Sequence, residues 1–220
     1  MPSNYYPFIA RETWLILIII FGIVLLAKFF STILLFSLFL AVLLTAIYLF
    51  RDPHREIPSQ PLAVVSPAHG VVTKVSKAKE IRLNVDVIRI RIVMRITDIY
   101  SLRSPIEGKV IEQWYNDPSK NESHRHLDFH VQSDEGDNIV TAIRFRNIMH
   151  KSHIYLNSGE RIGQGQRCGY LCFGGVIDLF LPIESKVFVE VGQFVESGST
   201  ILAELIHLEP QSSIKASCNN

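Results

Sequence analysis

The chain has 220 residues, 48% of them hydrophobic, and a formal net charge of only +1 at pH 7. This balance gives no overall nucleic-acid-binding signature. The three cysteines, Cys168, Cys172 and Cys218, are odd in number and lack metal-ligand spacing, so we expect reduced thiols rather than a disulfide framework.

Residues 14–50 are almost wholly apolar, and Lys28 is the one charged residue among them. At ~1.5 Å per helical residue against a hydrocarbon core of ~30 Å, residues 32–50 are long enough to span and residues 14–27 are short. We expect a helical hairpin over residues 1–50 that anchors the chain in a membrane, with both ends on one side. A cleaved secretory signal is disfavoured, because a second apolar run follows the first.

Basic residues follow the apolar segment directly, beginning with Arg51 and Arg55. Positive charge next to an apolar span is typical of the cytoplasmic side. We therefore expect location at the cell membrane, with a soluble domain over residues 51–220 on the cytoplasmic side.

Residues 87–96 alternate between apolar and basic side chains, which predicts a strand with a basic outer face. An ordinary solvated face is the simpler interpretation of these charges, and contact with anionic lipid headgroups is the alternative. The apolar positions are Ile88, Ile90, Ile92, Met94 and Ile96, and the basic positions are Arg89, Arg91 and Arg95.

Two segments of the soluble part recur within the chain. Residues 66–72 (SPAHGVV) are echoed at 104–110, and residues 159–165 (GERIGQG) at 192–198. Glycine-bounded hairpins flanked by Val, Ile and Phe predict a mainly β fold of many short strands. These hairpins resemble those of the lipoyl and biotinyl domains, so a barrel-sandwich-like architecture is expected. Neither repeat has a lysine at its turn, which argues against a cofactor-carrier domain.

An ordered series of motifs resembles the short, membrane-anchored form of phosphatidylserine decarboxylase. The motifs are FRDPxR at 50–55, SPAxGxV at 66–72, DxxxxRxP at 98–105, NESxR at 121–125, GxRxG at 165–169 leading to Phe173-Gly174, and DxxxP at 178–182. The resemblance implies a role in phospholipid biosynthesis, with a pyruvoyl group as the prosthetic group. In that family a serine following Phe-Gly attacks the preceding carbonyl, and elimination leaves the pyruvoyl group, which takes up electrons as carbon dioxide leaves.

The chain departs from the family at the three positions that carry this chemistry. The family's aspartate is His69, its histidine is Tyr100, and its serine is Gly175, although the preceding Gly174 is kept. Glycine has no side-chain oxygen, so no ester and no pyruvoyl group can form at this site. We therefore expect no cofactor and no decarboxylase activity. His69 is interpreted as a turn residue, with a general base as the alternative. Tyr100 is interpreted as a packed strand residue, with a hydrogen-bond donor as the alternative.

One alternative keeps the enzyme active. Ser199, in Gly198-Ser199-Thr200, resembles the processing site of longer family members and is an alternative cleavage site, with a pyruvoyl group formed there. A polar turn is the simpler interpretation of this segment. A third hypothesis is a structural membrane module that organises a lipid-synthesis assembly.

The resemblance also implies substrate contacts, which Arg103, Asn121 and Arg125 would make. A guanidinium suits a lipid phosphate, but an internal salt bridge of either arginine with Glu122 or Asp178 is an equally good interpretation. The expected partners are membrane phospholipid, an active decarboxylase relative or a second copy, and no nucleic acid. No metal site is expected, because three alternating histidines on one strand seldom converge on one ion. These are His124, His126 and His130.

Overall fold

The structure is a computed structural model that describes residues 9–10, 13–30, 33–53, 55–58, 60, 62–80, 85–116, 126–144 and 152–206. In these residues two helices precede fourteen short strands. The helices are α1 (Trp14–Phe30) and α2 (Ile33–Leu49). The strands are β1 (Ala63–Val65), β2 (Gly70–Glu80), β3 (Val85–Val93), β4 (Ser101–Arg103), β5 (Gly108–Asn116), β6 (His126–Gln132), β7 (Asn138–Arg144), β8 (Ser152–Ile154), β9 (Arg161–Ile162), β10 (Arg167–Leu171), β11 (Val176–Pro182), β12 (Lys186–Val187), β13 (Phe194–Val195) and β14 (Ile201–Glu204).

The apolar N-terminal segment forms the helix pair α1–α2, and each helix has 17 residues. Lys28 lies in the last turn of α1. At the open end of the pair, Ile9 and Arg51 form an antiparallel bridge, and the Ala10 amide donates to the Phe50 carbonyl at 3.3 Å. Among the described residues, no helix combines the length and the hydropathy needed to cross a bilayer. The membrane anchor therefore stays a prediction.

The strands form antiparallel sheets, which confirms the mainly β prediction. An eight-stranded sheet has the order β13-β2-β3-β11-β7-β6-β5-β9, and two three-stranded sheets have the orders β1-β14-β12 and β4-β10-β8. Strands far apart in sequence are neighbours in all three sheets. Residues that are distant in sequence can therefore meet where the turns between these strands cluster.

The repeated segments have equivalent structures. The Ser66 hydroxyl donates to the Ala68 carbonyl at 2.7 Å, and the Ser66 carbonyl accepts from the Gly198 amide at 2.8 Å. Ser104 makes the same two bonds. Its hydroxyl donates to the Ile106 carbonyl at 2.7 Å, and its carbonyl accepts from the Gly165 amide at 2.9 Å. Each Ser-Pro turn is thus tied to one glycine hairpin, so the echoes in the sequence are two structural repeats.

Both repeats need glycine at the start of the strand that follows the turn. A Cβ atom at Gly70 would lie 2.5 Å from the carbonyl oxygen of Val93, and one at Gly108 would lie 2.1 Å from that of Gln132. A backbone carbonyl in a sheet cannot move aside cheaply, so these close approaches explain why a side chain is excluded.

The alternating segment keeps its predicted pattern up to residue 94. Ile90, Ile92 and Met94 are buried in the main core. Ile96 was predicted to face the core with them, and this prediction is wrong, because its side chain is 62% exposed. Strand β3 ends at Val93, and a turn closed by the Asp98 amide on the Arg95 carbonyl follows. The two-residue period that buries apolar positions therefore stops before Ile96.

The basic face of β3 is partly neutralised. Arg91 donates from Nε and Nη2 to the two carboxylate oxygens of Asp178, at 2.7 and 2.9 Å. The Arg144 side chain lies 3.5 Å from the same carboxylate. Asp178 is fully buried, whereas Arg91 and Arg144 are 29% and 50% exposed, so this cluster is an ion-pair network around a buried carboxylate.

Candidate functional site

The three positions at which the chain departs from the family's chemistry lie on three separate turns. His69 is the last residue before β2, Tyr100 directly precedes β4, and Gly174 and Gly175 connect β10 to β11. The Leu171 amide donates to the Tyr100 carbonyl at 2.8 Å, which ties the second turn to the third. The tertiary structure therefore brings Tyr100 next to the turn at 172–175.

The turn at 172–175 has an unusual backbone. Phe173 has φ of 64° and Gly174 has φ of 81°, so two consecutive residues are left-handed. A non-glycine residue in this region costs ~1–3 kcal/mol, and such strain is typical of functional sites. The Met94 amide donates to the Gly175 carbonyl at 2.9 Å and holds the turn against the end of β3.

Gly175 itself is closely surrounded. A Cβ atom there would lie 2.9 Å from Cδ2 of Leu171 and 3.1 Å from the carbonyl oxygen of Arg144. A serine at this position would fit only if the end of the flexible Leu171 side chain moved away. Nothing in the sequence points to Leu171, because its contact with Gly175 depends on the shape of the turn.

Tyr100 is packed inside the protein, as predicted, but it lies directly before β4 rather than in a strand. Its side chain is 1% exposed, and its hydroxyl donates to the Ile96 carbonyl in a short hydrogen bond. Its ring contacts those of Phe50, Tyr170 and Phe173 edge-on, with centroids 6.2, 5.8 and 6.1 Å away. Burial raises the pKa of Tyr100 to about 12. At neutral pH this hydroxyl is therefore a neutral donor that is already engaged.

His69 lies in a turn, as expected, but it is buried, with 6% of its surface exposed. Its ring meets Phe194 edge-on with centroids 4.8 Å apart, and its Nδ1 has no hydrogen-bond partner within the described ranges. Burial and then the positive charge of Arg55 lower its pKa, and Asp98 and Glu196 act in the opposite direction. His69 is therefore uncharged near neutral pH.

We expect the stability of the protein to fall as the pH drops below the ordinary histidine pKa of 6.5. Because the pKa of folded His69 is lowered, the unfolded chain binds its proton first, and acid favours unfolding. His69→Gln should flatten this part of the curve of unfolding free energy against pH, measured by urea denaturation between pH 7.5 and 5. The matched control is His153→Gln at an exposed histidine, which should keep the slope of the parent protein.

Asp98 connects the surroundings of His69 and Tyr100, since its charge raises the pKa of both. Its own carboxylate is buried and accepts a hydrogen bond from the Arg95 amide at 2.7 Å. Arg55 and Glu196, whose charges also act on His69, pair with each other. His69, Asp98 and Tyr100 are thus buried, whereas the Arg55–Glu196 pair beside them is partly exposed.

The structure places Arg103 inside the protein. Its Nη1 donates to the Gly165 carbonyl at 3.0 Å, and a Cβ at Gly198 would lie 2.5 Å from its Cδ. This packing between the two glycine hairpins favours a structural role over a lipid contact. The other residues of that prediction, Asn121, Glu122 and Arg125, lie outside the described residues.

Ser199 is part of the turn that enters β14. Its amide donates to the Glu196 carbonyl at 3.3 Å, and the turn is separate from that at 172–175. The neighbouring Ser197 hydroxyl lies 3.3 Å from the carbonyls of both Pro67 and Ser101. The Ser199 turn therefore packs against the segments that carry His69 and Tyr100.

His130 has local partners. Its ring stacks on Trp114 with centroids 6.3 Å apart, and its Nε2 lies 2.9 Å from Oδ1 of Asn138. Within the described ranges no group of three potential ligands could hold a metal ion. His124 and the side chain of His126 fall outside those ranges.

Comparison with known proteins gives matches over most of the chain. The family model for phosphatidylserine decarboxylase matches residues 43–203. A phosphatidylserine decarboxylase proenzyme of Aromatoleum aromaticum is 31% identical, over 93% of this chain and all of that protein. Proenzymes of the same description from Nitrosomonas eutropha and Paraburkholderia xenovorans are 32% and 33% identical, over 93% and 92% of this chain and 99% and 100% of the relatives. No solved structure matches.

Proposed function

Because the chain belongs to the phosphatidylserine decarboxylase family, we propose that it is a member that no longer processes itself and no longer decarboxylates, while it keeps binding to membrane lipid or to a protein partner. Its place is in phospholipid biosynthesis. The single observation that carries the proposal is Gly175, a residue without a side-chain oxygen after Phe173-Gly174.

The residues of this turn do not fit a pyruvoyl group. That group is made from the backbone and side-chain atoms of a serine, and Gly175 supplies neither a Cβ nor a hydroxyl. No movement of neighbouring residues can supply these missing atoms. Leu171 already occupies the space next to Gly175, which adds a steric obstacle to the chemical one.

The surroundings of the turn support the same proposal. His69 is held uncharged by burial, and the Tyr100 hydroxyl is engaged by the Ile96 carbonyl. Neither residue is the aspartate or the histidine that the family resemblance assigns as base and acid, and the engaged Tyr100 hydroxyl, with its raised pKa, is a poor proton donor. What supports retained binding is that the chain keeps family motifs around the site, such as SPAxGxV at 66–72 and GxRxG at 165–169.

The proposed location is the cell membrane, with the β domain on the cytoplasmic side. Large apolar side chains of the helix pair are exposed along both helices. Contact of such a surface with water is unfavourable in free energy. Examples are Leu15, Phe29, Ile33 and Leu34. Basic Arg51 and Arg55 follow the pair, as at cytoplasmic boundaries. The barrel-sandwich architecture inferred from the hairpins, and pairing with an active relative or a second copy, belong to the same proposal.

The proposal is tested by incubating the purified chain with vesicles that contain phosphatidylserine. We expect the protein to float with the vesicles and to form no phosphatidylethanolamine, measured by mass spectrometry of the lipids. Formation of phosphatidylethanolamine at a rate above that of a heat-denatured sample would refute the loss of activity. Absence from the vesicle fraction would refute lipid binding.

Ser199→Ala distinguishes the proposal from an active enzyme cleaved at the last hairpin. The hydrogen bond that Ser199 makes is donated by its backbone amide, so alanine should leave the fold intact. We expect the parent and the variant each to be one full-length chain, with masses that differ only by the serine oxygen, and both to form no product. A cleaved parent chain that becomes uncleaved in the variant would establish the alternative. Co-purification with synthase or decarboxylase partners in the absence of lipid binding would favour a structural module instead.

A further inference from the structure

Two large apolar side chains next to the altered site point outward. Ile96, in the turn after β3, is 62% exposed, and Phe173, at the strained turn, is 39% exposed. They are close together, because the Ile96 carbonyl accepts from the Tyr100 hydroxyl and the Phe173 ring contacts the Tyr100 ring at 6.1 Å. The buried Tyr100 side chain thus contacts both exposed apolar residues.

The same tyrosine connects this surface to the base of the helix pair. Phe50, the residue that follows α2, contacts the Tyr100 ring at 6.2 Å. At this end of the pair the amphipathic side chains Trp14 and Tyr48 are each about half exposed. Aromatic residues of this kind favour the boundary between hydrocarbon and headgroups. Ile96 and Phe173 therefore extend the apolar surface of the pair onto the β domain, at the level of this boundary.

Positive charge accompanies the exposed apolar residues. The Arg51 guanidinium lies over the Tyr48 ring, 4.0 Å from its centroid, and donates to the Tyr48 carbonyl at 2.8 Å. Arg95 directly precedes Ile96 and is exposed. The acidic residue of this turn, Asp98, is buried and accepts from the Arg95 amide. The outer surface of the turn is therefore apolar and cationic at once.

We propose that Arg51, Arg95, Ile96 and Phe173 form a membrane-docking rim, which seats the altered site against the headgroups of an anionic phospholipid surface. The inference rests on the proposed membrane location and adds a second contact beyond the helix pair. Apolar side chains flanked by arginines suit the interface of a bilayer, where the former enter the acyl boundary and the latter meet phosphates. Continuity with the exposed helices favours a lipid surface over a protein partner.

The rim is tested by flotation of the full chain with two vesicle types, phosphatidylcholine alone and phosphatidylcholine mixed with an equal amount of phosphatidylglycerol. Arg95→Gln should reduce the preference for anionic vesicles about fivefold, which corresponds to ~1 kcal/mol for each basic residue near an anionic surface. Ile96→Asp should weaken binding to both vesicle types. Lys109→Gln and Ile111→Asp are matched controls at exposed positions on β5, and each should bind as the parent does.

The outcomes separate the rim from the proposal on which it rests. If the parent binds both vesicle types and the rim variants bind like the controls, the rim is refuted and membrane location stands. If the parent binds neither type, membrane location and the rim both fail. The changed side chains are exposed, so the variants should be folded and keep the melting temperature of the parent. If Arg95→Gln and Ile96→Asp lose binding while Lys109→Gln and Ile111→Asp keep it, the rim is established.

Discussion

Arg167→Met is expected to lower the free energy of unfolding by about 3–5 kcal/mol, the cost of leaving one member of a buried ion pair without its partner. Arg167 begins β10, and its Nη1 lies 3.3 Å from Oδ2 of Asp52. Both side chains are 2% exposed, so the carboxylate left behind could not be stabilised by bulk water. Urea denaturation measures the change directly.

This ion pair has a specific place in the molecule. Asp52 belongs to the segment that leaves the helix pair, and Arg167 belongs to the β domain. The pair therefore fixes the base of the helices to the β4-β10-β8 sheet, in which β4 directly follows Tyr100. A loss of stability at Arg167 should be accompanied by earlier proteolysis of the segment at residues 50–58.

Two controls show whether burial is the cause. Arg161→Met removes the partner of Asp134 in an exposed pair, which should cost less than ~1 kcal/mol. The double variant Arg167→Met with Asp52→Leu removes both charges and should recover much of the loss, because no uncompensated charge remains. Equal losses for Arg167→Met and Arg161→Met would contradict the structural role assigned to the buried pair.

The second large effect is a gain of function. The combined variant His69→Asp, Tyr100→His and Gly175→Ser should cleave itself between residues 174 and 175, whereas the parent chain does not. The three changes restore the residues that the family resemblance assigns to base, acid and nucleophile. The turn is already held by the Met94 amide on the Gly175 carbonyl, so the introduced hydroxyl would adjoin the Gly174 carbonyl.

Steric fit makes this prediction more specific. The space next to Gly175 is taken by Leu171, so cleavage should become faster when Leu171→Ala is added to the combined variant. The matched control replaces Gly175 by alanine in place of serine, because alanine has the same Cβ contact and no hydroxyl. Intact mass should show fragments 1–174 and 175–220 only with serine. A folded combined variant that stays whole would contradict the claim that these positions account for the lost processing.

Much of the fold could be predicted from local patterns. The alternation at Ile90 and Ile92 predicts a half-buried strand, and the repeated Ser-Pro turns predict equivalent hairpins, because both depend on periodicity and glycine placement that neighbouring residues largely determine. Ile96 was wrongly predicted to be buried, since a pattern cannot show where a strand gives way to a turn. The pairing of strands distant in sequence, such as β3 with β11, also depends on tertiary packing.

The candidate site could be located from motif order but not described. The sequence identifies His69, Tyr100 and Gly175 as altered positions, and the missing oxygen at Gly175 follows from residue type alone. The burial that lowers the pKa of His69 and the occupation of space by Leu171 arise from side chains brought together by folding. No local pattern carries that information.

The most direct test of the central claim is the intact mass of the purified parent chain. The absence of a hydroxyl at Gly175 predicts one unprocessed species of about 25.0 kDa, with an ordinary amino terminus and no carbonyl that reacts with hydrazine. Two fragments, the carboxyl-terminal one blocked by a ketone, would contradict the account.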